Sequence, residues 1–187
     1  MKTKLTMIVI CIFFLCSCSY ENEDLEQAMS LRTKLKNGGG CAFLATVTAD
    51  YGDQIYTFSL ACEADQNGNM NFFVLEPEYI AGISGKISSK GGELTFDDVI
   101  LSFPLQSDGV LSPVSAPWIC LRTLREGYVR SCGKEGEYVR LTADDSYEMD
   151  ALMLDIWLDG NSLPIQADIY ENNRRIFEVQ IIDFCIR

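Results

Sequence analysis

Histidine is absent from all 187 residues. Its absence excludes a Ser-His-Asp triad, a Cys-His nucleophile pair and the His ligands of common catalytic zinc sites. Basic side chains are scarce: 15 Lys and Arg face 27 Asp and Glu, a formal net charge of −12. That balance argues against nucleic acid, whose phosphates demand a basic surface, and against an electrostatic grip on anionic lipid. No C-x-x-C spacing occurs among the eight cysteines, and no internal repeat or low-complexity tract is visible. The first apolar run, Met7 to Leu15, holds nine residues. Crossing a hydrocarbon layer of ~30 Å takes roughly 20.

What the amino-terminal stretch does contain is more specific. Lys2 and Lys4 precede the short apolar run, and Ser17 stands just ahead of Cys18. This layout predicts a secretion signal. Leu15-Cys16-Ser17-Cys18 resembles the lipobox of bacterial lipoproteins, with Leu at −3 and Ser at −1. The resemblance implies cleavage between Ser17 and Cys18 and a diacylglyceryl group on the Cys18 sulfur. The plainer alternative is an ordinary signal cut near Ser17 or Ser19. On the lipobox reading, residues 1–17 are the signal peptide, 18–23 a short tether and 24–187 a single domain. The expected location is extracytoplasmic, anchored to the outer face of the cytoplasmic membrane. Without Lys2 and Lys4, 13 basic residues face 27 acidic ones. Attachment therefore falls to the acyl chains, each buried CH₂ contributing ~0.8 kcal/mol.

Sorting the cysteines by this reading changes what they mean. Cys11 and Cys16 leave with the signal, and Cys18 carries lipid. Cys41, Cys62, Cys120, Cys132 and Cys185 remain, an odd set without the spacing of a dense disulfide framework. A domain of this length buries roughly 70% of its unfolded surface and needs no such staples.

Within the domain, Leu25, Ala28, Met29, Arg32 and Leu35 recur at helical steps and predict a helix over about 24–36, stopped at Gly38-Gly39-Gly40. From Cys41 the period falls to two. Folding the chain about Tyr51-Gly52 sets Val47 opposite Tyr56, Phe43 opposite Leu60 and Cys41 opposite Cys62. That register makes a Cys41–Cys62 disulfide possible, while two free core thiols explain the same residues. Asn67-Gly68 predicts a type I′ turn bringing Asn71–Leu75 back against Leu60–Glu63. Pro117, then Trp118, Leu121 and Leu124, predict a short second helix. Strand-like runs follow it to Cys185, the last two set with Ala167 opposite Val179 and Ile169 opposite Phe177. The expected class is α+β, mainly antiparallel: a curved sheet of about ten strands with two helices on its concave face.

Motifs that carry chemistry elsewhere have plainer explanations here. Ser131-Cys132-Gly133-Lys134 matches S-x-x-K but lacks its partner motifs. Asp65 to Asn69 looks like part of a calcium loop but lacks the closing acid, and a hairpin turn explains it. Asp97-Asp98 and Asp144-Asp145 are adjacent, and adjacent strand residues point to opposite faces. The expectation is no catalytic residue, no metal, no cofactor and no enzyme. The aromatic and apolar residues Phe43, Phe58, Leu60, Phe73, Phe96, Trp118, Leu121 and Trp157 allow two readings. One is an ordinary packed core; the other is an apolar cavity able to hold an acyl chain.

The order of elements resembles a known superfamily. A helix precedes Phe43-Leu44-Ala45-Thr46-Val47-Thr48-Ala49-Asp50, and a strand ends at Leu75-Glu76-Pro77-Glu78. A return through Gly91-Gly92-Glu93-Leu94-Thr95-Phe96 and closing hairpins about Leu163-Pro164 and Asn172-Asn173 complete the layout. It is similar to the LolA/LolB-like lipoprotein carriers. That resemblance implies a half-barrel around a helical lid, with a cavity for lipid or a lipoprotein acyl chain. The superfamily also contains membrane-anchored lipoproteins that act on a protein partner. Two functions follow as expectations: a non-enzymatic, membrane-anchored binder of lipid, or an interaction module for another envelope protein.

Overall fold

The computed structural model describes residues 20–97, 99–107 and 110–187. The lipobox, including Ser17 and Cys18, lies outside the described residues. The first helix, α1, covers Tyr20–Asn37 and so begins inside the expected tether. Its buried stripe is Asp24, Ala28, Leu31 and Leu35, while Leu25 is exposed. The expected stripe was therefore rotated by about one position. Leu31, not Leu25, supplies the core contact.

Six strands follow as a meander: β1 (Gly40–Asp50), β2 (Ile55–Asp65), β3 (Met70–Glu76), β4 (Ser84–Ser88), β5 (Gly91–Phe96) and β6 (Val99–Phe103). A small ribbon, β7 (Gln106–Ser107) and β8 (Val110–Leu111), leads to helix α2 (Ala116–Glu126). Five more strands complete the chain: β9 (Tyr128–Glu135), β10 (Tyr138–Asp144), β11 (Met153–Leu158), β12 (Pro164–Glu171) and β13 (Arg174–Ile186). All pair antiparallel in one 11-stranded sheet, ordered β6-β5-β4-β3-β2-β1-β13-β12-β11-β10-β9. The sheet is open and curved, with edges at β6 and β9. The chain crosses once, from β6 through α2 to β9, and closes at the centre where β13 lies beside β1.

Period-two burial explains the sheet. Val47, Leu60, Val74, Leu141, Ile156, Ile169 and Val179 point inward and are almost fully buried. The alternate positions Thr46, Thr48, Thr57, Ser59, Gln166 and Gln180 face outward, and the Thr and Ser hydroxyls pair across β1 and β2. Helix α2 lies on the inward face with Trp118, Ile119, Leu121 and Leu124 buried.

The β1–β2 register differs from the expected one by two residues. Val47 lies opposite Phe58, Phe43 opposite Cys62, and Cys41 opposite Ala64. The turn is a four-residue loop, with the Tyr51 amide donating to the Gln54 carbonyl at 3.0 Å. A slip of two preserves inward and outward faces, so alternation cannot reveal it. Of the two readings of Cys41 and Cys62, the free thiols hold and the possible disulfide is not formed; all five cysteines after Cys18 are free. At the next hairpin the expected type I′ turn is also replaced. Gly68 closes a turn from Asp65, whose carboxylate accepts from the amides of Asn67 and Asn69. In β12–β13 the expected pairs hold, Ala167 with Val179 and Ile169 with Phe177. Asn172 and Asn173, both at positive φ, form the turn between them.

The two helices are tied together at one point. The Arg32 guanidinium donates from Nε to the Leu124 carbonyl at 2.8 Å and from Nη2 to the Thr123 carbonyl at 3.2 Å. These carbonyls belong to the last turn of α2, where the helix dipole favours a cation, and the Thr123 carbonyl also accepts from the Gly127 amide at 2.8 Å. Replacing Arg32 with Ala is expected to lower unfolding free energy by ~1–3 kcal/mol. Urea midpoints of R32A and R32K check it, the lysine recovering the charge but not the two-point geometry.

Burial also fixes the thiols in their protonated form. It pushes Cys41 up to about 11 against the pull of Arg125 and Arg187. Cys62 and Cys120 are pushed higher still by the same cause. A thiol whose folded pKa is raised stabilises the fold fully below its unfolded value and loses that contribution as pH rises. Stability is therefore expected to fall between about pH 9 and 11, the ordinary and folded values of Cys41. Denaturant midpoints across that window test this, and Cys41→Ala should lessen the slope, leaving the part that Cys62 and Cys120 contribute.

Candidate ligand cavity

The central hairpins meet the crossover at one rim of the sheet, and a cavity of about 960 Å³ opens there. Its apolar wall is Tyr51, Leu94, Phe103, Leu111 and Ile176. Asp50, Gln54, Glu171 and Arg174 stand around it as polar groups. Most of its boundary comes from hairpin ends and from the connection between β6 and α2. A volume of this order suits a small ligand or part of a larger one.

Two contacts hold the opening. Arg174, at the start of β13, donates from Nη2 to the Asp50 carbonyl at 2.8 Å and to its carboxylate at 3.1 Å. That clamps the β1–β2 and β12–β13 hairpins side by side. Tyr51 donates its hydroxyl to the Leu111 carbonyl at 2.9 Å, drawing the crossover over the sheet. Its ring meets Phe177 and Tyr56 edge-on, each with centroids 6.2 Å away. Burial, then the nearby Tyr56, raises the Tyr51 hydroxyl above its ordinary value, so it remains a donor at neutral pH.

Phe103 reaches the wall because Gly92, its cross-strand partner, has no side chain. A Cβ on Gly92 would run into the Phe103 ring. Gly92→Ala is expected to cost ~1–3 kcal/mol through overpacking and to narrow the cavity by displacing that ring. Thermal melts with ligand-binding measurements would register both effects.

None of the eight lining residues expected from the sequence borders this cavity. Phe43, Phe58, Leu60, Trp118 and Leu121 are at most 6% exposed. Phe43 and Phe73 border a separate pocket beside Phe72, and Trp118 and Leu121 border a small cleft at the β2–β3 turn. Phe73 and Phe96 are exposed at 45% and 52%. Trp157 lies on the outer face, where its indole donates to Glu135 at 3.2 Å. The correction has one physical origin. Large aromatics on regular strands fill the helix–sheet interface, whereas the cavity forms where regular pairing ends. Tyr51 in the hairpin loop and Pro104 and Pro113 bracketing the crossover were the available signals.

Among the described residues, no group of His, Cys, Asp and Glu could hold a metal ion, and no helix is long and apolar enough to cross a membrane. The cavity contains no nucleophile–base pair in hydrogen-bonding contact. Its geometry provides apolar contact with a polar margin.

No protein-family model and no curated protein matches the sequence. Among solved structures, a putative outer membrane lipoprotein-sorting protein domain from Vibrio parahaemolyticus is similar at a TM-score of 0.47 and 10% identity, covering 89% of this chain and 93% of that one. A LolA superfamily protein from Nitrosomonas europaea gives 0.45 and 10%, over 86% and 93%. The lipoprotein LppX of Mycobacterium tuberculosis gives 0.43 and 11%, over 87% and 93%.

Proposed function

We propose that this protein is a lipid-anchored envelope protein, without catalytic activity, that holds a lipid or other apolar ligand in the cavity beside Tyr51. The observation that carries this reading is the cavity itself, with its wall of Leu94, Phe103, Leu111 and Ile176 and its margin of Asp50, Glu171 and Arg174. Such an arrangement suits an apolar chain with a polar head at the mouth. The anchor rests on Leu15-Cys16-Ser17-Cys18, two residues before the start of α1. Two acyl chains on Cys18 suffice for stable attachment at the outer face of the cytoplasmic membrane.

Native mass spectrometry of a Cys18→Ala protein lacking residues 1–17 tests the cargo. The expected result is co-purifying lipid, diminished by Leu111→Trp, which fills the cavity. An empty protein that takes up no added lipid overturns the reading. Incorporation of labelled fatty acid tests the anchor, and Cys18→Ala must abolish it.

A second reading, an interaction module for another envelope protein, has its own observation. Ile182, Leu44, Ala61 and Phe73 lie in one row across β13, β1, β2 and β3 on the outer face. Ile182 and Phe73 are 59% and 45% exposed, and Leu75 and Ile55 are exposed on the same face. A photo-crosslinker at position 73 that captures no envelope protein in cells counts against this reading.

A further inference from the structure

A second, smaller cleft lies where the carboxyl-terminal half of α2 meets two sheet loops. It encloses about 200 Å³ between Trp118, Arg122 and Arg125 on one side and Asn67, Asn69 and Ser89 on the other. Glu126 also borders it. No residue is shared with the cavity beside Tyr51.

The two arginines are three positions apart and therefore neighbours on the helix surface. Arg125 is only 8% exposed. Its Nη2 donates to the Gln66 carbonyl at 2.7 Å and its Nη1 to the Asp65 carbonyl at 3.4 Å. The Arg122 guanidinium sits 5.5 Å from the Trp118 ring centroid. That indole is fixed by its own bond to the Gly68 carbonyl at 2.9 Å. Among the described residues neither arginine forms an ion pair, in a chain where acids outnumber bases 27 to 15. The nearby Asp65 carboxylate is occupied, accepting from the amides of Asn67 and Asn69 and from the Asn69 side chain.

A guanidinium taken out of water without a counter-charge is costly, and carbonyl dipoles offset only part of that cost. A second cation beside it raises the cost further. The one acid at its border, Glu126, is exposed and forms no ion pair with either arginine among the described residues, so both guanidiniums remain open to an added anion. One carboxylate would be satisfied by a single guanidinium fork, whereas two guanidiniums offer donors to three oxygens. At ~30 Å³ per water the volume has room for one tetrahedral group together with a few waters.

We propose that the Arg122–Arg125 cleft binds a phosphoryl group, supplied either by free phosphate or by a lipid headgroup. Arg125 is the buried positive floor, and Arg122, held flat against Trp118, closes over the anion. Asn67 and Ser89 contribute polar groups at the margin. The inference is independent of what occupies the larger cavity.

Thermal unfolding of the full chain in nonionic detergent is the test, run with inorganic phosphate and with chloride at matched ionic strength. Phosphate is expected to raise the melting temperature, because a ligand bound only to the folded state stabilises it by mass action. R122Q, read against its own melting temperature in chloride, weakens phosphate at least about tenfold, the loss of one charge-assisted contact. R130Q, which removes one charge on β9 away from the cleft, keeps the full response. Dihexanoyl phosphatidylglycerol and dihexanoyl phosphatidylcholine distinguish the sources. Tighter binding of either lipid than of phosphate, lost in R122Q, assigns a headgroup; equal or weaker binding assigns the free anion. The proposal is overturned if phosphate gives no rise beyond chloride, or if R122Q responds as the parent does.

Discussion

Trp118→Ala is expected to lower unfolding free energy by ~3–5 kcal/mol, among the largest effects of any single side-chain truncation here. The indole is 3% exposed and lies between α2 and the sheet. Its removal leaves a void that surrounding Leu121 and Leu124 cannot fill without shifting α2. It also deletes the hydrogen bond to the Gly68 carbonyl. Trp118→Phe separates the two contributions, since it keeps most of the volume and loses only the donor. A Phe variant within ~1.5 kcal/mol of the parent assigns the effect to packing. If Trp118→Ala unfolds at the parental urea midpoint, the helix does not depend on this side chain for its seat. The Arg122 guanidinium loses its aromatic support in Trp118→Ala and keeps a smaller ring beneath it in Trp118→Phe.

The second large effect belongs to a backbone position. Gly40→Ala is expected to cost ~2–4 kcal/mol or to prevent folding. Gly40 begins β1 at φ +130°, in a region essentially reserved for glycine. An added Cβ would also press into the Ala64 carbonyl of the neighbouring strand. The same residue accepts from the Arg187 amide at 2.9 Å, joining the end of the last strand to the start of the first. Gly136→Ala is a useful contrast. Its φ is +66°, so the backbone is again left-handed, but nothing lies within 4 Å of the added carbon. Circular dichroism melts of the two variants separate backbone strain alone from strain plus collision. The larger loss must fall on Gly40.

How far the sequence discloses this molecule depends on what kind of information each element needs. The β12–β13 hairpin was legible because short connections and strict alternation leave few registers. For β1–β2 the same alternation specified the faces but not the pairing, because a shift of two changes no face. The supposed opposition of Cys41 and Cys62 rested on that ambiguity. In α1 the acidic Asp24 proved inward and Leu25 outward, a reversal that residue chemistry cannot anticipate. The cavity was least legible of all. Its wall joins Tyr51, Leu94, Leu111 and Ile176 from distant parts of the chain, and only the crossover brings them together. The Arg122–Arg125 cleft was hidden for a related reason. Two arginines near a helix end look like ordinary last-turn cations until the β2–β3 loop is placed over one of them.

The central pairing of β1 with β13 bears on how the protein is made. These strands meet across 124 residues at the Arg174–Asp50 contact. Every other neighbouring pair in the sheet is sequential, so the two halves of the meander can zip locally while this seam stays open. During synthesis β1 must wait, with an unpaired edge, until the last strand arrives. Contact order of this kind slows folding and leaves a strand edge available for wrong partners in the meantime. A newly made chain would thus depend on protection of that edge, and the final closure would be the event that commits it to a single native form.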